Sequence, residues 1–336
     1  RSLQQPSGGG GATKAAAQDT VCPKSRESCR LMADKPSFIQ DLAWRLEALL
    51  YDAFSAFTRI LPVDTASDFG GWLFKTLGPL TPVQKTVKRN LELAFPEMDE
   101  AARKILITRQ WENTGRAMAG EFAIMDRIVA DKNRIEIEGF EKLEAIAASG
   151  KPVIFISGHL SNFEIMNAAI LAAKVPYMIT YRAANNPYVD DRMRATRAAY
   201  GVTAFAPKGS DGAKELLIAL QNGESVGLMN DQKFNRGVPT PFFGHIAETA
   251  PGPTRLAQRF GTVLQPLTIR RLHKARFHVT VHDPIHVDDT GHKAQDIETT
   301  VCKISAFIEQ AVRDNPEEWF WVHKRWPNTL YKTARD

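Results

Sequence analysis

Val153-Ile154-Phe155-Ile156 is a short apolar, β-branched run that stops at Ser157-Gly158, and His159-Leu160-Ser161-Asn162-Phe163-Glu164 then leads into a helix. A run of this kind suits a strand buried on both faces, with a turn at its end. The alternation recurs along the chain. Strands are expected at 153–157, 175–181, 202–206, 225–230, 262–269 and 277–282, with a long loop after residue 230. Helices are expected at 99–119, 141–149, 162–173, 187–199, 211–222, 251–260 and 295–313. This order argues an α/β fold: a single domain with a central mixed, largely parallel sheet flanked by helices, preceded by an N-terminal amphipathic helix.

In such sheets ligands bind beyond the strand ends, which is where the turn carries His159. Imidazole is the side chain best suited to take a proton near neutral pH. A carboxylate close by, Glu164, can fix its tautomer and stabilise the imidazolium. Together they are equipment for deprotonating a hydroxyl. The plainer reading is that Ser161-x-x-Glu164 is a capping box, with His159 a hydrogen-bonded turn residue. Both roles for Glu164 are compatible.

The chain of 336 residues is 43% hydrophobic, ample for a core, and carries a formal charge of +5. That charge favours anions, and nucleic acid, acidic lipid head groups and an acidic carrier protein all qualify. Cys22, Cys29 and Cys302 give no disulfide framework, and no Cys/His spacing resembles a zinc site. No secretory signal is evident, and no window holds the roughly 20 apolar residues of a spanning helix. Residues 1–36 have almost no large apolar side chains and are expected to be a disordered tail. Gly8 to Gly11 with Lys14 has the wrong spacing for a phosphate loop. From Phe38 to Leu61, apolar residues recur at helical spacing opposite a stripe of Asp41, Arg45, Asp52, Ser55 and Arg59. That pattern fits a helix covering the core or an in-plane membrane helix.

Other motifs fall at the same sheet edge. Arg182, in Tyr181-Arg182 with Asn186-Pro187, ends a strand and can clamp a phosphate or carboxylate. Arg192, Arg194 and Arg197 on the following helix extend the positive patch or stay solvated. Asp231 and Gln232 end another strand, where they could orient His159 or Arg182, or bind a substrate hydroxyl. The stretch from Gly237 through Phe242-Phe243-Gly244 to His245 suits a lid or an acyl groove, or else a hydrophobic plug. Trp319 to Pro327 interleaves indoles with His323, Lys324 and Arg325, as at a membrane interface, on single-stranded nucleic acid or in a core.

Taken in order, these motifs resemble the bacterial lipid A late acyltransferases, the lauroyl/myristoyl transferase group of the lysophospholipid acyltransferase superfamily. The resemblance rests on His159-x4-Glu164, Tyr181-Arg182, Asp231-Gln232, Phe242-Phe243-Gly244, Pro266 and Trp321 to Pro327, and covers roughly residues 40–330. It implies a glycerolipid acyltransferase-like fold and acyl transfer from an acyl carrier protein thioester to a hydroxyl of a lipid A precursor. The place would be the cytoplasmic face of the inner membrane. His159 would be the general base and Glu164 its orienter. Arg182 would bind acceptor phosphate or stabilise the anionic transition state. Asn162, Asp231 and Gln232 would support or bind substrate, and Phe242, Phe243 and Gly244 would shape the acyl or acceptor groove. No metal or cofactor is implied.

The organisation expected is a tail at 1–36, a membrane-associating helical segment at 37–80 and the acyltransferase domain at 81–332. Partners would be the acyl carrier protein, the lipid A precursor and an anionic membrane surface, with no nucleic acid. Charges at Asp41, Arg45, Glu47, Asp52 and Arg59 imply an interfacial anchor or a weak attachment, where family members usually have a hydrophobic helix. Another lysolipid or aminolipid acceptor is the alternative within the class, and a basic nucleic-acid-binding protein the alternative outside it.

Overall fold

The computed structural model describes residues 36–207 and 210–332, so the tail expected at 1–36, apart from Pro36, lies outside the described residues. Two compact units divide between Ala43 and Trp44. In the first, Ser37 caps helix α1 (Phe38–Ile60), its Oγ accepting from Gln40 N at 3.2 Å.

From Trp44 onward α1 belongs to the larger unit, and there its amphipathicity is turned outward. Leu46, Leu49, Leu50 and Ile60 are exposed. The polar stripe is what docks: Asp52 takes Arg192 Nε and Nη2 at 2.5 and 2.6 Å. Arg59 forks onto Asp126 at 2.9 and 2.7 Å, and Glu47 accepts from Asn186. A helix laid over a core would bury its leucines, so the core-covering reading of this segment fails. Among the described residues no helix is long and apolar enough to cross a membrane.

Pro62, which has no N–H to donate, separates α1 from α2 (Val63–Leu77). Helices α3 (Val83–Ala94) and α4 (Glu100–Gly115) follow. Helix α2 crosses α4 backbone to backbone: a Cβ on Gly115 would stand 2.2 Å from Gly70 O. The helix expected to run to 119 therefore stops at Gly115 and unwinds into a π-helical turn over residues 116–121. That turn lifts Glu121 into the interior. Helix α5 (Met125–Ala130) leads to the sheet region.

The sheet alternates with helices, as β1 (Ile135–Glu138), α6 (Phe140–Ser149), β2 (Ile154–Ser157), α7 (Glu164–Ala172), β3 (Tyr177–Tyr181) and α8 (Pro187–Ala198). It continues with β4 (Phe205–Pro207), α9 (Ser210–Gln221) and β5 (Ser225–Met229). A hairpin β6 (Val238–Phe242) and β7 (His245–Thr249) is followed by α10 (Gly252–Phe260), β8 (Leu264–His273), β9 (Arg276–Val281) and α11 (Lys293–Asp314). Among the described residues seven strands order as β1-β9-β8-β2-β5-β3-β4, with β8–β9 the one antiparallel pair of that sheet. This is the expected mixed, largely parallel sheet.

Strand β2 is central and wholly buried. Ile154 and Ile156 enter one core with Ile304 and Ile308 of α11, while Val153 and Phe155 enter the other with Ile165 and Ile170 of α7. Burial on two faces explains the unbroken apolar run. Because β2, β5, β3 and β4 run parallel, their C-terminal ends open on one edge.

The long loop expected after residue 230 contains the β6–β7 hairpin. Pro239 and Pro241 sit on its exposed side, where a missing N–H is harmless, and Phe243 and Gly244 turn the chain with φ of +51° and +74°.

Candidate active site

The pairing of Ser157 with Met229 across β2 and β5 sets His159 and Asp231 opposite one another, each two residues past the last pair. Asp231 Oδ2 accepts from His159 N at 2.7 Å, and Oδ1 lies 2.7 Å from His159 Nδ1. Trp319 Nε1 adds a bond to Oδ2 at 2.8 Å. Burial opposes ionisation of Asp231, but His159 beside it and these donors more than offset that, holding the carboxyl far below the usual range. An ionised carboxylate only accepts, so Nδ1 carries the proton and Nε2 keeps its lone pair.

Around the ring, Phe163 packs edge-on with centroids 4.9 Å apart, and Phe320 lies near-parallel at 6.3 Å. Gln232 Nε2 stands 3.5 Å from His159 Nε2. A cavity of about 10 Å³ opens beside the ring, lined by His159, Asp231, Gln232, Trp319, Phe320, His323 and Arg325. That is room for roughly one oxygen atom or one water.

Glu164 does not orient His159. It begins α7 with its side chain buried, and its carboxylate accepts from Arg197 Nη2 at 2.6 Å and Nε at 3.1 Å. Tyr200 Oη also donates to it, and Asn167 Nδ2 does so at 3.2 Å. Arg197 is buried too, with its guanidinium against the Phe122 and Tyr181 rings. A cation so enclosed needs a carboxylate, and Glu164 is the one that meets it. The capping box is absent as well. Helix α7 starts at Glu164, whose N–H goes to Asn162 Oδ1 at 3.2 Å, while Ser161 takes a positive φ and gives its N–H to Glu318 O.

Asn162 is not a substrate ligand in this geometry either. It is buried, and its Nδ2 donates to Glu121 Oε2 at 2.9 Å. Glu121, raised by the π turn, also accepts from Ser67 Oγ and forms a buried pair with Arg271. This network pins the turn that carries His159. Nothing in the sequence names Glu121 directly; Gly115 and Gly120, five residues apart in a helical stretch, are the signal that the helix is interrupted there.

Arg182 reaches the same sheet edge, since β3 pairs with β5, but it is exposed and lines a separate depression with Tyr181, Asn185 and Met193. The His159 cavity is not among its neighbours. Of the three arginines on α8, none is simply solvated: Arg192 holds Asp52, Arg194 holds Asp190 and Arg197 holds Glu164.

Phe242 and Phe243 are buried rather than lining a groove. Phe242 packs against Trp319 and Trp326, and Phe243 against Phe95 and Trp321. Gly244 only closes the hairpin. The stretch is the hydrophobic plug, not a lid. Trp319, Trp321 and Trp326 are equally enclosed, which removes both the stacking surface and the interfacial belt as uses of these indoles. A larger hollow of about 570 Å³ lies along β8 and β9 beneath Phe307 and Gln310 of α11, with Leu160 on its wall.

The family model described as bacterial lipid A biosynthesis acyltransferase matches residues 40–328. The chain is similar to the lipid A biosynthesis lauroyltransferase of Escherichia coli K12, at 26% identity over 72% of this chain and 78% of that one. It is also similar to a lipid A biosynthesis acyltransferase of Haemophilus influenzae, at 25% identity over 77% and 79%. Among solved structures, the 1-acyl-sn-glycerophosphate acyltransferase of Thermotoga maritima aligns at a TM-score of 0.36 and 11% identity, over 73% of this chain and 99% of that one.

Proposed function

This chain belongs to the bacterial lipid A biosynthesis acyltransferase family, and on that premise we propose that His159, held by Asp231, is the general base for O-acyl transfer to lipid A. The acyl donor is an acyl carrier protein thioester and the acceptor a hydroxyl of a lipid A precursor. The observation that carries this reading is the His159–Asp231 pair, with one ring nitrogen committed to a buried carboxylate and the residue itself lining a cavity.

The chemistry follows from that arrangement. Nε2 takes the proton of the acceptor hydroxyl as its oxygen bonds to the thioester carbonyl carbon, and the carbonyl electron pair moves onto its oxygen. Asp231 stabilises the imidazolium without taking its proton. Collapse of the tetrahedral centre breaks the carbon–sulfur bond, and the thiolate leaves with the proton from Nε2. No covalent acyl-enzyme is needed.

The outward-facing leucines of α1 support attachment to the inner membrane at its cytoplasmic face, lying on the bilayer rather than through it. Partial burial of such a row in lipid offsets the cost of exposing it to water.

The test is transfer of a radiolabelled acyl group from carrier-protein thioesters to a lipid A precursor, with product mass analysis. His159→Ala is expected to abolish transfer while its circular dichroism and melting curve stay those of the parent. Undiminished turnover by a folded His159→Ala protein rules the mechanism out, and a labelled product other than lipid A rules out the acceptor.

A further inference from the structure

Among the described residues, Arg325 is a large, deeply buried charged side chain that makes no salt bridge. It is 2% exposed. Its Nη1 donates to Glu248 O at 2.9 Å and its Nη2 to Thr249 Oγ1 at 2.6 Å, both neutral acceptors on the hairpin strand β7. Its Nε donor meets no acceptor. Among the described residues no carboxylate makes a salt bridge with it, whereas the other buried arginines, Arg197 and Arg271, each hold a glutamate. The guanidinium lies over the Phe242 ring at 4.9 Å. Burial brings its pKa down to about 10, against a pull upward from Asp231, so it stays a cation at neutral pH.

The idle donor alone does not set it apart, since Arg197 Nη1 and Arg271 Nε also lack an acceptor, but a buried guanidinium without a paired carboxylate is costly and calls for another use. Arg325 forms part of the wall of the small cavity beside His159. That cavity is far too small for an acyl chain or a sugar, but it is about the size of one oxygen atom. In acyl transfer the atom that gains negative charge is the carbonyl oxygen of the attacked thioester.

We propose that Arg325 is a catalytic residue of this enzyme: the cation that receives the thioester oxyanion in the cavity shared with His159. The proposal rests on the acyl-transfer reading above and moves the charge-stabilising role from Arg182, which does not line that cavity, to the C-terminal segment. In the transition state the acceptor oxygen bonds to the carbonyl carbon while the electron pair of the carbonyl moves to its oxygen, against Arg325. The pair returns as the thiolate departs, so no co-reactant is required. A fixed donor gains most at the moment charge develops, which places the benefit in kcat rather than in KM.

The experiment compares Arg325→Gln, Arg325→Lys and Thr249→Val in the full chain. Arg325→Gln should lower kcat by roughly 100-fold with KM for donor and acceptor within about twofold. Arg325→Lys, which keeps the charge, should recover most of that loss. Thr249→Val loosens the anchor but leaves the cation, and should keep kcat within about threefold. A binding measurement separates this proposal from the acyl-transfer reading. A long-chain alkylphosphonate monoester, an anionic tetrahedral mimic, should bind Arg325→Gln about tenfold more weakly than the parent, and Arg325→Lys nearly as well as the parent. Equal phosphonate affinity in all variants overturns the proposal. So does a kcat loss in Thr249→Val matching that of Arg325→Gln, which would make the role structural. If His159→Ala turned over normally while phosphonate binding still depended on Arg325, the anion site would stand and the general-base reading would fall.

Discussion

Asp231 and Glu164 are both buried carboxylates fastened to the turn after β2, and their partners differ in kind. Asp231 meets an imidazole, a side chain able to carry a proton on either nitrogen, on the wall of a cavity. Glu164 meets a guanidinium and a tyrosine, neither of which changes charge near neutrality, and it is sealed from that cavity. Nearness in sequence favours Glu164, five residues from His159. Nearness in space belongs to Asp231, which comes from the adjacent strand. What a buried acid can do is decided by whether its partner can change state.

The largest effect that would break this comparison is Asp231→Asn. An amide cannot accept from both His159 N and Nδ1, and it lets the ring settle in the wrong tautomer. We expect kcat to fall by roughly 10⁴-fold with the fold retained, read by the carrier-protein transfer assay; a loss below tenfold would remove Asp231 from the mechanism. Glu164→Gln should act on stability instead. It strands the buried Arg197 charge and should cost about 3–5 kcal/mol in urea unfolding. Replacing both partners, Glu164→Met with Arg197→Met, should return much of that loss, because the unpaired charge is gone. A double variant no more stable than Glu164→Gln would contradict the structural role given to this pair.

Glu318 sharpens the contrast with a third kind of partner. Its carboxylate accepts from the backbone N–H of Arg271 at 3.0 and 2.9 Å, and burial pushes its pKa from 4.5 up to about 7. Between those values the folded protein keeps a proton that the unfolded chain has released. Its contribution is therefore fully present below pH 4.5 and is lost as pH rises through about 7. The total is at most about 3 kcal/mol. Glu318→Gln should flatten this part of the stability curve and melt higher than the parent at pH 8. An unchanged slope between pH 4.5 and 7 would show that Glu318 titrates normally.

Much of the scaffold was legible because local patterns and tertiary demands agree. The apolar run of β2 is long enough only for a strand and too apolar for an edge, and its Ser-Gly stop marks the turn. Strand β1 escaped: Ile135-Glu136-Ile137-Glu138 does alternate, but four residues at a sheet edge give a weak signal. The β6–β7 hairpin was hidden by Pro239 and Pro241, which usually argue against a strand and are tolerated here on the exposed side. At the site, His159 was readable from its position after a central strand. The choice between Glu164 and Asp231 was not, because it depends on which strand pairs with β2 and on an arginine 33 residues away competing for Glu164. Both acids were singled out as candidates, and only contact could assign them. The aromatic segments at 242–243 and 319–326 stayed ambiguous in the sequence for a related reason. Composition cannot tell a surface belt from a plug when the residues are the same.

The two oxygens of Asp231 leave His159 almost no freedom. One holds the ring, while the other is shared between the backbone of the same histidine and an indole. The imidazole thus cannot flip over to offer its opposite nitrogen, and the acid behind it has no spare lone pair positioned to store a proton between cycles. In the mechanism proposed above, each proton lifted from an alcohol leaves on the departing sulfur before the next alcohol is handled. On that proposal the clamp works as a ratchet: release of the spent carrier and recharging of the base become one event, and a cycle finishes before another begins.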